Sequence, residues 1–134
     1  MRYLIRPSKS KVPELRFQFH LTQMLMLQPW CSFAFNYKVP QTKKSNQSSI
    51  VTPSGLPDIH FRVRKGFLED RAVPGYFEAK GDGTIRTDAQ IEFIENALRD
   101  GCIAFFVKDF YDVQKQLKIV GLNFTIYPIG TAHA

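Results

Sequence analysis

The sequence is poor in cysteine. Its 134 residues include only Cys31 and Cys102, which both lie in apolar runs and have no metal-type spacing. This excludes a disulfide-rich secreted scaffold. We expect two free, buried thiols in a reduced compartment.

Long apolar runs are also missing. The N-terminal segment MRYLIRPSKS lacks the apolar stretch of a signal peptide, and the purely apolar runs elsewhere are far too short to span a bilayer. We therefore expect an intracellular, cytoplasmic protein that does not associate with membranes.

Acidic residues are scarce, so the formal net charge is +6 at pH 7. Residues 36–65 contain six lysines and arginines against Asp58 alone, a net charge of +5. Such a concentration favours a local contact with an anionic partner over general solubility. A hydrophobic fraction of 44% and 12 phenylalanines indicate one packed domain, residues 1–134.

Hydrophobic periodicity predicts an α/β protein with the order helix, strand, strand, strand, helix, strand, helix. A long basic and polar loop, residues 40–54, separates the first two strands, and the alternation in 119–129 suggests one more strand. The predicted elements are helices at 13–28, 88–99 and 110–118 and strands at 32–39, 57–64, 75–80 and 102–107.

Two successive strands carry acidic residues where a cleft can form. Asp58 lies at the start of the strand 57–64, and Glu78 and Lys80 share one face of the strand 75–80 because strand side chains alternate. If the strands are neighbours, the two carboxylates converge and can hold Mg²⁺ or Mn²⁺. Lys80 can orient a water or stabilise negative charge on a phosphate. A metal, an attacking water and a positive charge are what phosphodiester hydrolysis requires.

The runs Gly55-Leu56-Pro57-Asp58 and Tyr76-Phe77-Glu78-Ala79-Lys80, followed by Gln90, resemble the PD-(D/E)XK nuclease superfamily. More narrowly, with Gly101 and the run CIAFFVKD, they look like its VRR-NUC family. The resemblance covers about residues 14–118. It implies a restriction-endonuclease-like core, a mixed central sheet flanked by helices. It also implies that Asp58, Glu78 and the Ala79 carbonyl bind metal, that Lys80 is catalytic and that Gln90 lines the centre.

Glu14 is a further candidate ligand, because members of the superfamily often carry a glutamate on the first helix that reaches the metal. Two of these residues also have structural interpretations. Gln90 completes a capping box with Thr87, and Glu14 suits the first turn of a helix. His60 shares the Asp58 face. The residues expected to contact DNA phosphates are Lys43, Lys44, Arg62, Arg64 and Lys65.

The sequence thus predicts a metal-dependent endonuclease that recognises DNA by shape and charge, because no base-reading module remains outside the core. Stand-alone VRR-NUC proteins resemble Holliday-junction resolvases, which implies branched DNA as the substrate and a homodimer. The aromatic-rich stretches 30–37 and 119–129 are candidates for the dimer interface. A non-catalytic DNA-binding module and a nuclease subunit acting with a partner remain alternatives, and RNA is not excluded as the substrate.

Overall fold

The computed structural model of the protein describes residues 13–37, 55–81 and 84–129 and shows a mixed α/β fold. The order of the elements is the predicted one, and their ends differ from the predicted ends by a few residues. The helices are α1 (Pro13–Met26), α2 (Asp88–Arg99) and α3 (Phe110–Ile119), and the strands are β1 (Cys31–Asn36), β2 (Ile59–Val63), β3 (Val73–Ala79) and β4 (Ile103–Val107).

The four strands form one mixed sheet in the order β1-β2-β3-β4. The first three strands are antiparallel neighbours, whereas β4 runs parallel to β3. A parallel pair needs a crossover connection, and α2 provides it. The register sets Ile59 opposite Phe77 and Ala79 beside Val107.

Helices cover the sheet on both faces. The main core lies on the face of Phe61 and Phe77, where side chains of α1 and α3 pack against them. A smaller cluster on the other face joins Ile94 and Ala97 of α2 to Ala104. Because strand side chains alternate between faces, the even-numbered residues of β2 and β3 face the α2 side.

The C-terminal segment corrects one prediction. Residues 119–129 do not form a strand. Residue 119 ends α3, 122–128 have no regular structure, and Ile129 makes a single bridge. The backbone polar groups of this segment are bound by side chains instead. Gln28 bonds twice to the backbone of Thr125, with both distances 2.9 Å, and the Trp30 indole donates to the Asn123 carbonyl at 2.7 Å. The apolar side chains of the segment, including Leu122 and Phe124, complete the core.

The two cysteines are free. Cys31 is buried as predicted, and burial raises the pKa of its thiol to about 11. Cys102 is only partly buried, because it lies in the smaller cluster at the start of β4. Within the described ranges, no helix has the length and apolar character needed to cross a membrane.

Candidate functional site

Glu78 lies near the end of β3, and Asp58 directly precedes β2, the neighbouring strand. The register of these strands ends with Ile59 opposite Phe77, and the antiparallel pattern carried one step further would set Asp58 opposite Glu78 on the α2 face. Directly opposed residues of antiparallel strands have Cβ atoms about 4.5–5.5 Å apart. Both residues are 2% exposed. We call them the carboxylate pair.

A hydrogen bond fixes Asp58 in this position. Its Oδ2 accepts from the backbone N–H of Ala79 at 2.9 Å, so the side chain reaches across to β3. The same bond shows where the Ala79 carbonyl points. The neighbouring Lys80 N–H donates to Val107 of β4. Since the Ala79 carbonyl and the Lys80 N–H belong to one trans peptide group and point in opposite directions, the Ala79 carbonyl is turned away from β4, towards the side of β2 and Asp58.

Gly55 holds the segment before Asp58 against α2. It has a φ of +81°, in the left-handed region that favours glycine. A Cβ at this position would overlap the Ala89 carbonyl, and the backbone N–H of Gln90 is close as well. Residues 55–58, which we call the GLPD segment, therefore lie in close contact with the first turn of α2, and this contact requires a glycine at position 55.

Gln90 forms the capping box that the sequence predicts. Its Oε1 accepts from the Thr87 N–H at 3.0 Å, and its own N–H donates to the Thr87 hydroxyl at 3.1 Å. The side chain thus caps α2, while the backbone contacts Gly55. Gln90 lies near the segment that carries Asp58, but these contacts assign its oxygen to the helix cap.

Lys80 directly follows β3 and lines a polar cavity of about 420 Å³ at the same edge of the sheet. Its Nζ donates to the Ile85 carbonyl at 3.4 Å, a long bond that uses one of three ammonium donors. Arg86 and Lys108 line the same cavity. The Arg86 guanidinium lies 4.2 Å from the centre of the Phe106 ring, which holds it there. We call Lys80, Arg86 and Lys108 the cation pocket.

Arg86 and Lys108 are not among the residues predicted from the sequence, although the sequence contains a signal for Lys108. Lys80 is the last residue of the predicted strand 75–80, and Lys108 directly follows the predicted strand 102–107. The strands β3 and β4 are parallel and pair Ala79 with Val107, so both lysines leave the sheet at one edge. The two lysines come together because β3 and β4 are neighbours in the sheet, and this pairing cannot be predicted from the sequence alone.

The predicted basic patch is divided. Arg62, Arg64 and Lys65 are exposed, but they lie at and beyond the end of β2 that is remote from Asp58. At a rise of about 3.3 Å per residue, Arg62 is about 13 Å along the strand from Asp58. The Arg62 guanidinium is 4.6 Å from the centre of the Phe33 ring, and Lys65 Nζ is 3.7 Å from Asp70. Lys43 and Lys44 lie outside the described residues.

Glu14 is in the first turn of α1, but its side chain also lies outside the described part of the structure. One turn later, Gln18 is buried and accepts from Asn36 Nδ2 at 2.9 Å. Asn36 pairs with Ile59, next to Asp58. The bond between Gln18 and Asn36 therefore places the beginning of α1 towards the Asp58 end of the sheet.

Models of protein families, curated proteins and solved structures gave no match to the chain. Any assignment of function therefore rests on the residues and their geometry.

The donors of the carboxylate pair fit a hard divalent cation. Two carboxylates and one backbone carbonyl offer only oxygen, which Mg²⁺ and Mn²⁺ prefer, and they leave positions for water and phosphate. Groups of three or more His, Cys, Asp or Glu suited to a metal do not occur among residues 13–37, 55–81 and 84–129. A further protein ligand to the metal, beyond Asp58, Glu78 and Ala79, would therefore be a group other than His, Cys, Asp or Glu, or would lie outside those residues. A larger cavity, of about 900 Å³, lies between α3 and residues 121–124, and the described residues that line it include no carboxylate.

Proposed function

We propose that the chain is a metal-dependent endonuclease of the PD-(D/E)XK type, with a restriction-endonuclease-like core, that hydrolyses DNA phosphodiester bonds. The observation that carries the proposal is the carboxylate pair. Two carboxylates from neighbouring strands, with a backbone carbonyl beside them, supply oxygen donors of the kind that Mg²⁺ and Mn²⁺ prefer. Asp58 and Glu78 would hold such a cation.

Each residue of the site has a role in this proposal. Asp58 and Glu78 would hold the cation, the Ala79 carbonyl would assist them, and Glu14 is the further ligand proposed. When bound, Mg²⁺ or Mn²⁺ activates water and polarises a phosphate oxygen. Lys80 orients the attacking water or stabilises the negative charge that develops on the phosphate. Gln90 acts by fixing the first turn of α2 beneath the GLPD segment.

The cation pocket supports a phosphate-bearing substrate. Lys80, Arg86 and Lys108 bring three positive charges to a cavity where, among the lining residues that the structure describes, Asp112 alone is acidic. The Asp112 carboxylate accepts from the backbone N–H of Lys108 at 3.0 Å, which ties it to the start of α3. The phosphate next to the bond to be cut would bind in this pocket through charge and hydrogen bonds, without a base being read.

Branched DNA is the proposed substrate, and a two-fold homodimer the proposed assembly. One chain has one carboxylate pair and cuts one strand at a time, whereas resolving a four-way junction needs two paired cuts. Residues 119–129, one of the two stretches considered for an interface, contribute mainly to the core.

The test is cleavage of linear duplex, flap and four-way-junction DNA by the purified chain, with Mg²⁺, with Mn²⁺ and with EDTA. We expect metal-dependent cutting that favours the branched substrates and is lost in Asp58→Asn. Cutting that persists in EDTA or in Asp58→Asn would contradict the proposed site. DNA binding without cleavage of any substrate would favour the non-catalytic module. A strict monomer in sedimentation equilibrium, with and without junction DNA, would exclude the paired cuts and leave a flap- or nick-directed nuclease.

A further inference from the structure

The edge strand β1 presents a row of aromatic side chains. Phe33, Phe35 and Tyr37 occupy alternate positions, and their ring contacts place them on the same face of the sheet. Phe35 is 41% exposed and Tyr37 is 42% exposed. Large aromatic rings that remain exposed in a row on an edge strand mark an interaction surface. We call these three residues the aromatic strip.

The rings of the strip are supported from below. The Phe33 and Phe35 rings are nearly parallel, with centroids 6.2 Å apart and an interplanar angle of 16°. Tyr37 packs edge to face against His60 at 4.3 Å, and His60 packs in the same way against Tyr76 at 4.6 Å. Edge-to-face contacts of this kind hold rings in fixed orientations. The strip is therefore a preformed platform.

The strip runs from the carboxylate pair to an exposed cation. At one end the Tyr37 N–H donates to the Asp58 carbonyl at 2.9 Å. At the other end Phe33 pairs with Arg62, whose guanidinium lies over its ring. Asp58 is buried and Arg62 is exposed, so Arg62 adds a positive charge to the surface at the Phe33 end of the strip. A positive aromatic surface is complementary to a polyanion with accessible ring faces.

We propose that the aromatic strip binds a single-stranded segment of nucleic acid. Unpaired bases would stack on Phe35 and Tyr37, and Arg62 would contact the backbone. Aromatic side chains bind unpaired bases of any sequence because every base has a π-face, whereas a duplex hides these faces in its own stack. This inference rests on the proposed nuclease function, because the strip would lead a bound strand towards Asp58 and Glu78. It narrows the substrate to DNA that has an unpaired strand beside the bond to be cut.

The test measures binding in EDTA, so that cleavage plays no part. A labelled single-stranded oligonucleotide and its duplex are titrated with the wild type and with Phe35→Ala, Phe35→Leu and Tyr37→Phe, using fluorescence anisotropy. Phe35→Leu keeps an apolar side chain but removes the π-face, so it separates stacking from a loss of folding. Tyr111→Ala is the matched control, since Tyr111 is 75% exposed and lies on α3, away from the strip.

We expect both Phe35 variants to bind the single strand about tenfold more weakly, with much less effect on the duplex. Tyr37→Phe and Tyr111→Ala should bind as the wild type does. Equal losses of affinity for the single strand and the duplex, or no loss of affinity for either, would overturn the inference. If the Phe35 variants sediment as monomers where the wild type is a dimer, and their DNA binding is unchanged, the strip would be a contact with a second copy of the chain and not with DNA. If no substrate is cleaved but the predicted binding differences appear, the nuclease proposal fails and the aromatic strip stands.

Discussion

Replacing Asp58 separates two contributions of this carboxylate to the protein. Its charge is proposed to hold a metal, and its Oδ2 accepts the Ala79 N–H at 2.9 Å. Asp58→Asn removes the charge and keeps an oxygen that can accept this bond. Asp58→Ala removes both. Comparing the two variants therefore distinguishes the metal from the hydrogen bond.

The expected magnitudes follow from burial. In Asp58→Ala the buried Ala79 N–H loses its acceptor, which costs about 1–3 kcal/mol. Asp58→Asn keeps an acceptor for this N–H and so avoids this cost. Without metal, Asp58→Ala should therefore be about 1–3 kcal/mol less stable than Asp58→Asn. Mg²⁺ at a hundred times its dissociation constant should raise the wild-type free energy of unfolding by about 2.7 kcal/mol. It should leave both variants almost unchanged.

Urea denaturation in EDTA and at several Mg²⁺ concentrations measures these differences, and cleavage of branched DNA is followed in parallel. Both variants should lose cleavage. Their DNA binding should be equal to or stronger than that of the wild type, since a negative charge near the phosphate is gone. An Asp58→Asn protein that gains as much stability from Mg²⁺ as the wild type would refute the metal site as drawn, whatever its activity.

Four further variants test Lys80, His60 and the contact of Gly55 with α2. Lys80→Ala should lower kcat about 100-fold or more, with a smaller effect on affinity, because its charge acts in the transition state. A change in affinity alone would make Lys80 a phosphate clamp. Desolvation lowers the pKa of His60 from 6.5 to about 4, so below about pH 6.5 the unfolded chain binds a proton at this residue more readily than the folded chain. The free energy of unfolding should therefore fall as the pH is lowered from 6.5 to 4, by about 1–2 kcal/mol after allowance for the partial exposure of His60. In urea denaturation, His60→Phe should show a smaller fall. Identical pH profiles for the two proteins would contradict this. Gly55→Ala should lower the free energy of unfolding by more than about 2 kcal/mol in the same assay. The reason is that an alanine there would have a strained left-handed backbone and its Cβ would overlap the Ala89 carbonyl. Gly66 also has a positive φ, but an added Cβ would meet nothing there, so Gly66→Ala should lose only the free energy due to the strained backbone. Equal losses of unfolding free energy in Gly55→Ala and Gly66→Ala would rule out the contact with α2 as the cause.

The elements that the sequence predicts well carry strong local signals. Thr87 caps α2 at its start, and Gly101, with a φ of +85°, follows its end. The run CIAFFV is continuously apolar because β4 has helices on both sides. The alternation of residues 57–64 fixes which side chains face the core. These features depend on near neighbours in the chain, so a single sequence contains them.

The features that the sequence does not predict depend on contacts between distant residues. Residues 119–129 alternate like a strand, but their partners are side chains of Gln28 and Trp30, which lie 97 and 93 residues away in the sequence. The basic segment forms a cluster in the sequence, yet an extended strand carries Arg62 away from Asp58. Conversely, Arg86 and Lys108 join Lys80 only because β4 lies beside β3.

The register of β2 and β3 links the stability of the sheet to the geometry of the site. A slip of one residue would turn Glu78 to the opposite face from Asp58, because strand side chains alternate. The Phe61 ring lies over Gly75, its partner in this register, where a Cβ would overlap the ring. Gly75→Ala should therefore disturb the strand pairing and the carboxylate pair together, so stability and metal affinity should fall in parallel. Lys80→Ala lies beyond the end of the pairing and should lower turnover without lowering stability. A Gly75→Ala protein that is destabilised but binds Mg²⁺ with wild-type affinity would show that the carboxylate pair is held independently of the register.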